Sequence, residues 1–342
     1  MSERRRFIAL LKLAEERHIP LEVSVELTHR CNLRCQHCYI PDLARRDGVT
    51  TARFLSLFEE LAEAGTLFLT LTGGEIFMRR DWLAIARRAR ELGFSLRLFS
   101  NGTLIDEQVA DAIQELAAGV EVSLYSMDSA TFEAITGVRG SHARTLRGIE
   151  LLTERRVEVK LKVPVMTLNL GHETGVFAFA QEIGAECTAD ARMLPGKEGN
   201  LGPTRLQVPH EQLMPFYRGP QSGCEPPSQT LLKPSSNGAL CAAGVRMANV
   251  TASGDVRACN VLPGVAGNIN ERPFGEIWET SPWFAELRSI RREDLAVCST
   301  CHRFAYCKRC AAQAMVEGGD LRGPSPWSCA HAEAIERAFD ED

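Results

Sequence analysis

The run Glu26-Leu-Thr-His-Arg-Cys31-Asn-Leu-Arg-Cys35-Gln-His-Cys38-Tyr39 decides how the rest of the chain is read. Three thiols stand within eight residues, directly after a strand-like apolar run over 21–27. Four thiolates would close a tetrahedral zinc site or fill every corner of a cubic iron–sulfur cluster. Three leave one metal corner open, and the next cysteine along the chain is Cys187. A structural zinc site is the plainer alternative, but a zinc hook brings a second Cys or Cys/His pair at close range. The nearby histidines do not supply one: His37, between two thiols, reads as a loop residue, and His29 as a solvated or supporting group.

Composition narrows the setting. The chain has 342 residues, room for two domains and a sizeable core. A formal net charge of −5 argues against nucleic acid or an anionic membrane as partner. Twelve cysteines suggest disulfides in a secreted protein, and metal or catalysis in a reducing compartment. The start, Arg4-Arg5-Arg6-Phe7, faintly resembles a twin-arginine export signal, but Lys12 and Glu15-Glu16-Arg17 interrupt the apolar run. Residues 4–17 are expected to form an amphipathic helix within an N-terminal segment, 1–20. No run approaches ~18 apolar residues, so no membrane span is expected, and the compartment is read as cytoplasmic.

Outward from the cysteine run, strand and helix patterns alternate. Strands are expected over 21–27, 67–71, 95–99, 120–124, 157–165 and 187–194. Helices are expected over 50–64, 82–92, 106–116, 143–154 and 172–183. This implies a parallel sheet with right-handed crossovers. Six units fit, fewer than the eight of a closed barrel, so the fold class is α/β: a partial (β/α)6 TIM-like barrel over 21–203. In such folds the functional loops leave the carboxyl ends of the strands. The cysteine run follows the first strand, Gly73-Gly74-Glu75 the second and Asn101-Gly-Thr the third, while Ser123 ends the fourth. All four are expected on one rim. The breaker-rich stretch 195–203 ends the barrel, and 204–240 reads as a bridge with a short helix near 210–218.

Cys-x3-Cys-x2-Cys followed by an aromatic resembles the signature of the radical S-adenosylmethionine (radical SAM) enzymes. That resemblance implies a 4Fe–4S cluster on Cys31, Cys35 and Cys38, with SAM on the open iron. Gly73-Gly74-Glu75 resembles the family's Gly-Gly-Glu motif, which implies a SAM amino group held by backbone and carboxylate. Asn101 and Ser123 resemble positions near the methionyl and ribose groups, and Tyr39 the aromatic beside the adenine. A cation is also wanted for the SAM carboxylate. Arg192 and Lys162 are the candidates, and Asn169 is a weaker cofactor contact. Tyr125 and Arg97 are candidates to line the cavity.

The second cysteine field runs Cys241, Cys259, Cys298, Cys301, Cys307, Cys310 and Cys329. It resembles the SPASM domain that follows many radical SAM barrels, so 241–342 is expected to be a small cysteine-rich α+β iron–sulfur domain. The resemblance implies two auxiliary iron–sulfur clusters, of 4Fe–4S type. Cys241, Cys259 and Cys310 would hold the nearer one, and Cys298, Cys301, Cys307 and Cys329 the outer one. The spacing between the fifth and sixth cysteines, two residues between Cys307 and Cys310, departs from the family's three and leaves the allocation of that pair open. Cys224 is the preferred fourth ligand of the nearer cluster. A hairpin over 249–258 with a Ser-Gly-Asp turn brings Cys241 and Cys259 together. Helices are expected over 274–278, 282–290 and 331–339. With few long apolar runs, this region is expected to depend on its metal for folding.

The resemblance implies an oxidoreductase that cleaves SAM and abstracts hydrogen from a residue of a ribosomally made precursor peptide. Oxidation or crosslinking through the auxiliary clusters would follow. Expected partners are the precursor peptide and a flavodoxin- or ferredoxin-type reductant. About twenty residues precede the first strand, too few for a leader-binding domain, so a separate leader-binding protein or direct docking is expected. In the sulfatase-maturing branch an aspartate base follows the second cysteine of the SPASM field. Asn260 stands there, which disfavours that activity. The alternatives are a radical SAM dehydrogenase acting on a small molecule and, more remotely, a non-catalytic iron–sulfur electron carrier.

Overall fold

Alternation in Glu22-Val-Ser-Val-Glu26 sends Val23 and Val25 to a buried face and Ser24 to the other. In this computed structural model, which describes residues 3–40, 42–44, 46–222 and 240–340, that run is the strand β1 (Glu22–Glu26). Five more parallel strands follow it side by side: β2 (Phe68–Thr72), β3 (Ser95–Ser100), β4 (Gly119–Ser123), β5 (Val159–Pro164) and β6 (Glu186–Asp190). The sixth strand stops short of the expected 194, because the Arg192 N–H turns back onto the Asp190 carboxylate at 2.8 Å.

Helices α1 (Glu3–Arg17), α2 (Thr51–Glu63), α3 (Trp82–Glu91) and α4 (Glu107–Leu116) precede or link the first four strands. Thr50 caps the Arg53 N–H to start α2, which buries Phe54, Leu57, Phe58 and Leu61 completely. Two helices, α5 (Ser129–Thr136) and α6 (Ser141–Glu154), cross from β4 to β5, and α7 (Glu173–Glu182) leads to β6. Only α6 and α7 were expected in this part.

The two faces of the sheet differ in chemistry. Val23, Val25, Leu69, Leu71, Leu98, Val120, Val122 and Leu161 pack under the helices. The other face carries Ser24, Thr70, Arg97, Glu121 and Lys162. There Arg97 and Lys162 approach Glu121 at 3.6 and 2.5 Å. Eight-stranded barrels fill their interiors with branched apolar side chains. Here six strands form an open trough with polar walls instead.

The C-terminal region is joined to this sheet more closely than the sequence suggests. Strand β7 (Met247–Val250) pairs in parallel with β1, Glu22 against Met247 through Val25 against Val250. Strands β8 (Asp255–Arg257) and β9 (Gly267–Asn268) continue antiparallel, making nine strands in the order β6-β5-β4-β3-β2-β1-β7-β8-β9. The expected hairpin is therefore present, but as an extension of the barrel sheet. Helices α9 (Phe274–Thr280) and α10 (Pro282–Ser289) lock it down. Trp278 Nε1 donates to the His18 carbonyl at 2.5 Å, and Arg53 Nε to that of Ile269 at 2.8 Å. Val250, Val256, Phe274, Ile277 and Phe284 are fully buried. The expectation that metal alone holds this region is corrected for 247–289, which shares the barrel's apolar core.

Beyond it lie α11 (Ala311–Gly318) and α12 (Pro326–Asp340). The bridge helix α8 (Met214–Arg218) packs on α12, where the Tyr217 hydroxyl meets His331 Nδ1 at 2.7 Å. Cys224 lies outside the described residues. Among the described residues no helix is long and apolar enough to cross a membrane.

Candidate active site at the carboxyl rim of the sheet

The cysteine loop leaves β1 and is held from both sides. Asp47 accepts from the Thr28 hydroxyl and the His29 N–H at 2.7 and 2.8 Å. The end of α5 accepts from Arg34 and Gln36 N–H groups at 2.9 and 3.0 Å. Cys31, Cys35 and Cys38 thereby line one cleft of about 180 Å³. Burial, and then Cys38 and Cys31, pushes the Cys35 thiol up to about 12. Burial also raises Cys31 and Cys38, while the Lys197 ammonium pulls Cys38 back. Thiols that oppose one another's ionisation in a buried cleft suit a multiply charged metal centre, which would hold all three as thiolates. A set of three thiols is a donor set that fits an iron–sulfur cluster.

The second loop of the rim behaves differently from expectation. A Cβ on Gly74 would stand 2.3 Å from the Arg30 carbonyl oxygen, and one on Gly73 2.5 Å from that of Thr28. Gly73 also has φ +141°. The close approach that these glycines allow is therefore to the cysteine loop. Gly74 and Glu75 N–H groups donate to Thr28 and Arg30 carbonyls, both at 2.8 Å. Both glycines line the cleft; Glu75 does not. Its fully buried carboxylate accepts from the Asn101 N–H at 2.8 Å, the Ser100 hydroxyl at 3.0 Å and the Phe77 N–H at 3.3 Å. Burial outweighs those donors and holds its pKa at about 7. In this structure Glu75 is a strut between the ends of β2 and β3, not a free anion facing the cleft.

Asn101 and Ser123 do line the cleft, with Tyr39, Phe99 and Tyr125. Asn101 Nδ2 points at the Cys31 sulfur at 3.8 Å and at Asn32 Oδ1 at 3.0 Å. Tyr125 stands beside Cys35 in the cleft, and its ring packs edge-on against His37. Arg97 instead spans Glu121 and Glu158 along the trough wall.

The two proposed cations fall elsewhere. Arg192 lines a different cavity with Lys308 and Trp327, and its guanidinium reaches Asp190 at 3.6 Å. Lys162 lies over the Phe99 ring at 3.7 Å, bound to Glu121. Asn169 is fully buried and ties the Tyr125 and Pro164 carbonyls at 2.8 and 3.0 Å, a knot behind the rim. Lys197, which sequence reasoning missed, is a cation beside the cleft. Its ammonium forms a buried ion pair with Glu26 and lies 5.5 Å from the Tyr39 ring centre, while its backbone N–H donates to the Tyr39 carbonyl at 2.9 Å. It stands in the breaker-rich stretch, where only an apolar run ending in Glu26 hinted at a need for a buried counter-charge.

The second cysteine field separates into two groups. Burial raises Cys241 and Cys259, Cys259 to about 11, and both feel Cys310. Burial raises Cys307 to about 11 and Cys329 as well, and both feel Cys298 and Cys301. Cys310 thus neighbours Cys241 and Cys259, while Cys307 neighbours the other three.

Two family models match the chain: the radical SAM superfamily over residues 25–174 and the iron–sulfur cluster-binding SPASM domain over 241–311. An AdoMet-dependent heme synthase of Methanosarcina barkeri is 28% identical over 337 residues, covering 90% of this chain and 96% of that protein. A PqqA peptide cyclase of Gluconobacter oxydans is 29% identical over 332 residues, covering 90% of each chain. In fold, the chain resembles Streptococcus suis SuiB bound to its precursor peptide SuiA. The TM-score is 0.70 at 16% identity, over 95% of this chain and 79% of that one.

Proposed function

We propose that this chain, which belongs to the radical SAM enzymes and carries a SPASM domain, removes a hydrogen atom from a residue of a ribosomally made precursor peptide and then oxidises or crosslinks that residue. When bound, a 4Fe–4S cluster with one iron free of protein ligands supplies the electron that splits SAM into methionine and a 5′-deoxyadenosyl radical. Cys31, Cys35 and Cys38 would hold that cluster, and the Asn101 amide would donate to the Cys31 sulfur. The backbone of Thr72, Gly73 and Gly74 would receive the SAM amino group, in place of the Glu75 carboxylate. Tyr39, Phe99 and Tyr125 keep water from the cleft. Lys197, beside Tyr39, would be a cation for the SAM carboxylate. Cys241, Cys259 and Cys310, with Cys224 as a fourth ligand, would hold one auxiliary cluster. Cys298, Cys301, Cys307 and Cys329 would hold the other. The reductant would be a flavodoxin- or ferredoxin-type protein.

The observation that carries this reading is the meeting of three thiols, two glycines, Asn101 and Ser123 in one cleft beside an open polar trough. The peptide cyclase relative supports a peptide substrate. The heme synthase relative, covered over nearly its whole length, supports a second reading, a radical reaction on a small-molecule haem precursor. The test is anaerobic incubation of iron-reconstituted protein with SAM, dithionite and peptides encoded beside it, followed by mass spectrometry. A peptide that raises 5′-deoxyadenosine output and loses two hydrogens supports the first reading. Stimulation by a tetrapyrrole alone supports the second, and no SAM cleavage at all overturns both.

A further inference from the structure

A second cavity, of about 420 Å³, adjoins the cleft, and Ile40 lines both. Its other walls include Thr251 and Ser253 from the turn between β7 and β8, and Asp255 and Arg257 from β8. Ser24 pairs with Asn249 and Asn249 with Arg257, so Arg257 lies on the polar face of the sheet.

Arg257 is 7% exposed. Among the described residues its guanidinium makes no ion pair, and its Nε is buried without a hydrogen-bond partner. Four other charged side chains line the cavity. Lys197 is paired with Glu26, Asp255 accepts from Asn268 Nδ2 at 2.9 Å, Asp42 accepts from the Ala44 N–H at 2.8 Å, and Glu198 stands beside them with a contact of its own, so none of the three carboxylates forms an ion pair with Arg257. A buried guanidinium with no ion pair is costly to keep, and a ligand that brings a directly bonded anion lowers that cost. Its planar fork matches a carboxylate held by two parallel hydrogen bonds. The cavity is of a size that takes a side chain with its flanking backbone.

We propose that this cavity seats a carboxylate of the substrate, with Arg257 as its counter-ion, so that the substrate presents an acidic residue next to the radical cleft. The inference rests on the function proposed above and names a chemical feature of its substrate. Arg257 does not line the thiol cleft, which is why the carboxylate is assigned to the substrate and not to SAM.

The test is calorimetric binding to the reconstituted protein, with SAM present, of the blocked tripeptide Ala-Glu-Ala and its Gln counterpart. The Glu peptide should bind in the low-millimolar range or tighter, at least tenfold better than the Gln peptide. Arg257→Gln should abolish that preference, and Arg257→Lys, which keeps the charge without the fork, should retain part of it. Equal binding of the two peptides to the unaltered protein, or none of either, overturns the proposal even if the variants fail to fold. So does a preference that survives in Arg257→Gln. Inorganic phosphate displacing the Glu peptide at lower concentration than the peptide itself binds would make this a phosphate site. A tenfold loss of SAM affinity in Arg257→Gln would assign Arg257 to the cofactor; either result overturns the proposal. SAM cleavage without any peptide, followed as 5′-deoxyadenosine, reports on the proposed function alone and should be unchanged in Arg257→Gln.

Discussion

Lys197 and Glu26 are 171 positions apart in sequence and form a buried ion pair beside the cleft. Removing one partner leaves the other charged and dry, so Lys197→Met should cost roughly 3–5 kcal/mol in urea unfolding of the anaerobic protein. Adding Glu26→Leu should recover much of that loss; a double variant no more stable than the single one would refute pairing as the cause. Glu75 makes a pH prediction. Burial raises its pKa from 4.5 to about 7. Below pH 4.5 both folded and unfolded chains carry the proton; between 4.5 and 7 only the unfolded chain has lost it. Stability therefore falls by about 3 kcal/mol as pH rises through that window, then levels off. Glu75→Gln has no proton to lose but turns an amide toward the Asn101 N–H. It should be less stable than the parent at pH 5, with the gap closing by pH 8. Parallel stability curves would show that Glu75 titrates normally. Both residues illustrate what a sequence displays. Cys31, Cys35, Cys38, Asn101 and Ser123 were legible because each ends a recognisable strand or repeats a local spacing. Lys197 was not, because its partner is distant. Arg192 was misplaced because a position two residues past a strand end leaves the side chain's direction open.

At the scale of elements, the two loops that make the cleft are one packed unit. Gly74→Ala would force a Cβ to within 2.3 Å of the Arg30 carbonyl and push the loops apart. The strain should cost on the order of 1–3 kcal/mol, and SAM affinity should fall at least tenfold in equilibrium dialysis. Unchanged SAM affinity would mean that loop contact does not set the site. Helix α5 braces the other side of the cysteine loop. Eight residues with only Phe132 and Ile135 buried among the large apolar positions give too little periodicity to stand out. Its caps, Asp128 accepting from the Thr131 N–H and Gly137 with φ +66°, were the readable signals. The strands were legible because a parallel sheet demands alternate or continuous apolar runs under its helices.

The whole molecule is one sheet with a cysteine-rich extension, and the junction between them was invisible in the sequence. The pairing of Glu22 with Met247 is set by shape and burial, and neither short strand advertises a distant edge. That junction divides the C-terminal region by what stabilises it. From β7 to α10 the chain shares the barrel's core and donates hydrogen bonds into it. Of the group Cys298, Cys301, Cys307 and Cys329, the first three stand on short turns, with Cys301 and Cys307 flanking the turn His302–Tyr306, and Cys329 stands in the first turn of α12. Burial of apolar surface should hold the first part without metal, whereas ligand bonds would hold the second. Chelating the iron under anaerobic conditions should therefore leave amide protection largely intact over 247–289 and abolish it over 298–310, as read by hydrogen exchange and mass spectrometry. Loss of protection across the entire region would show that metal, not the shared sheet, holds it together. Unaltered protection over 298–310 would show that this segment folds without a cluster.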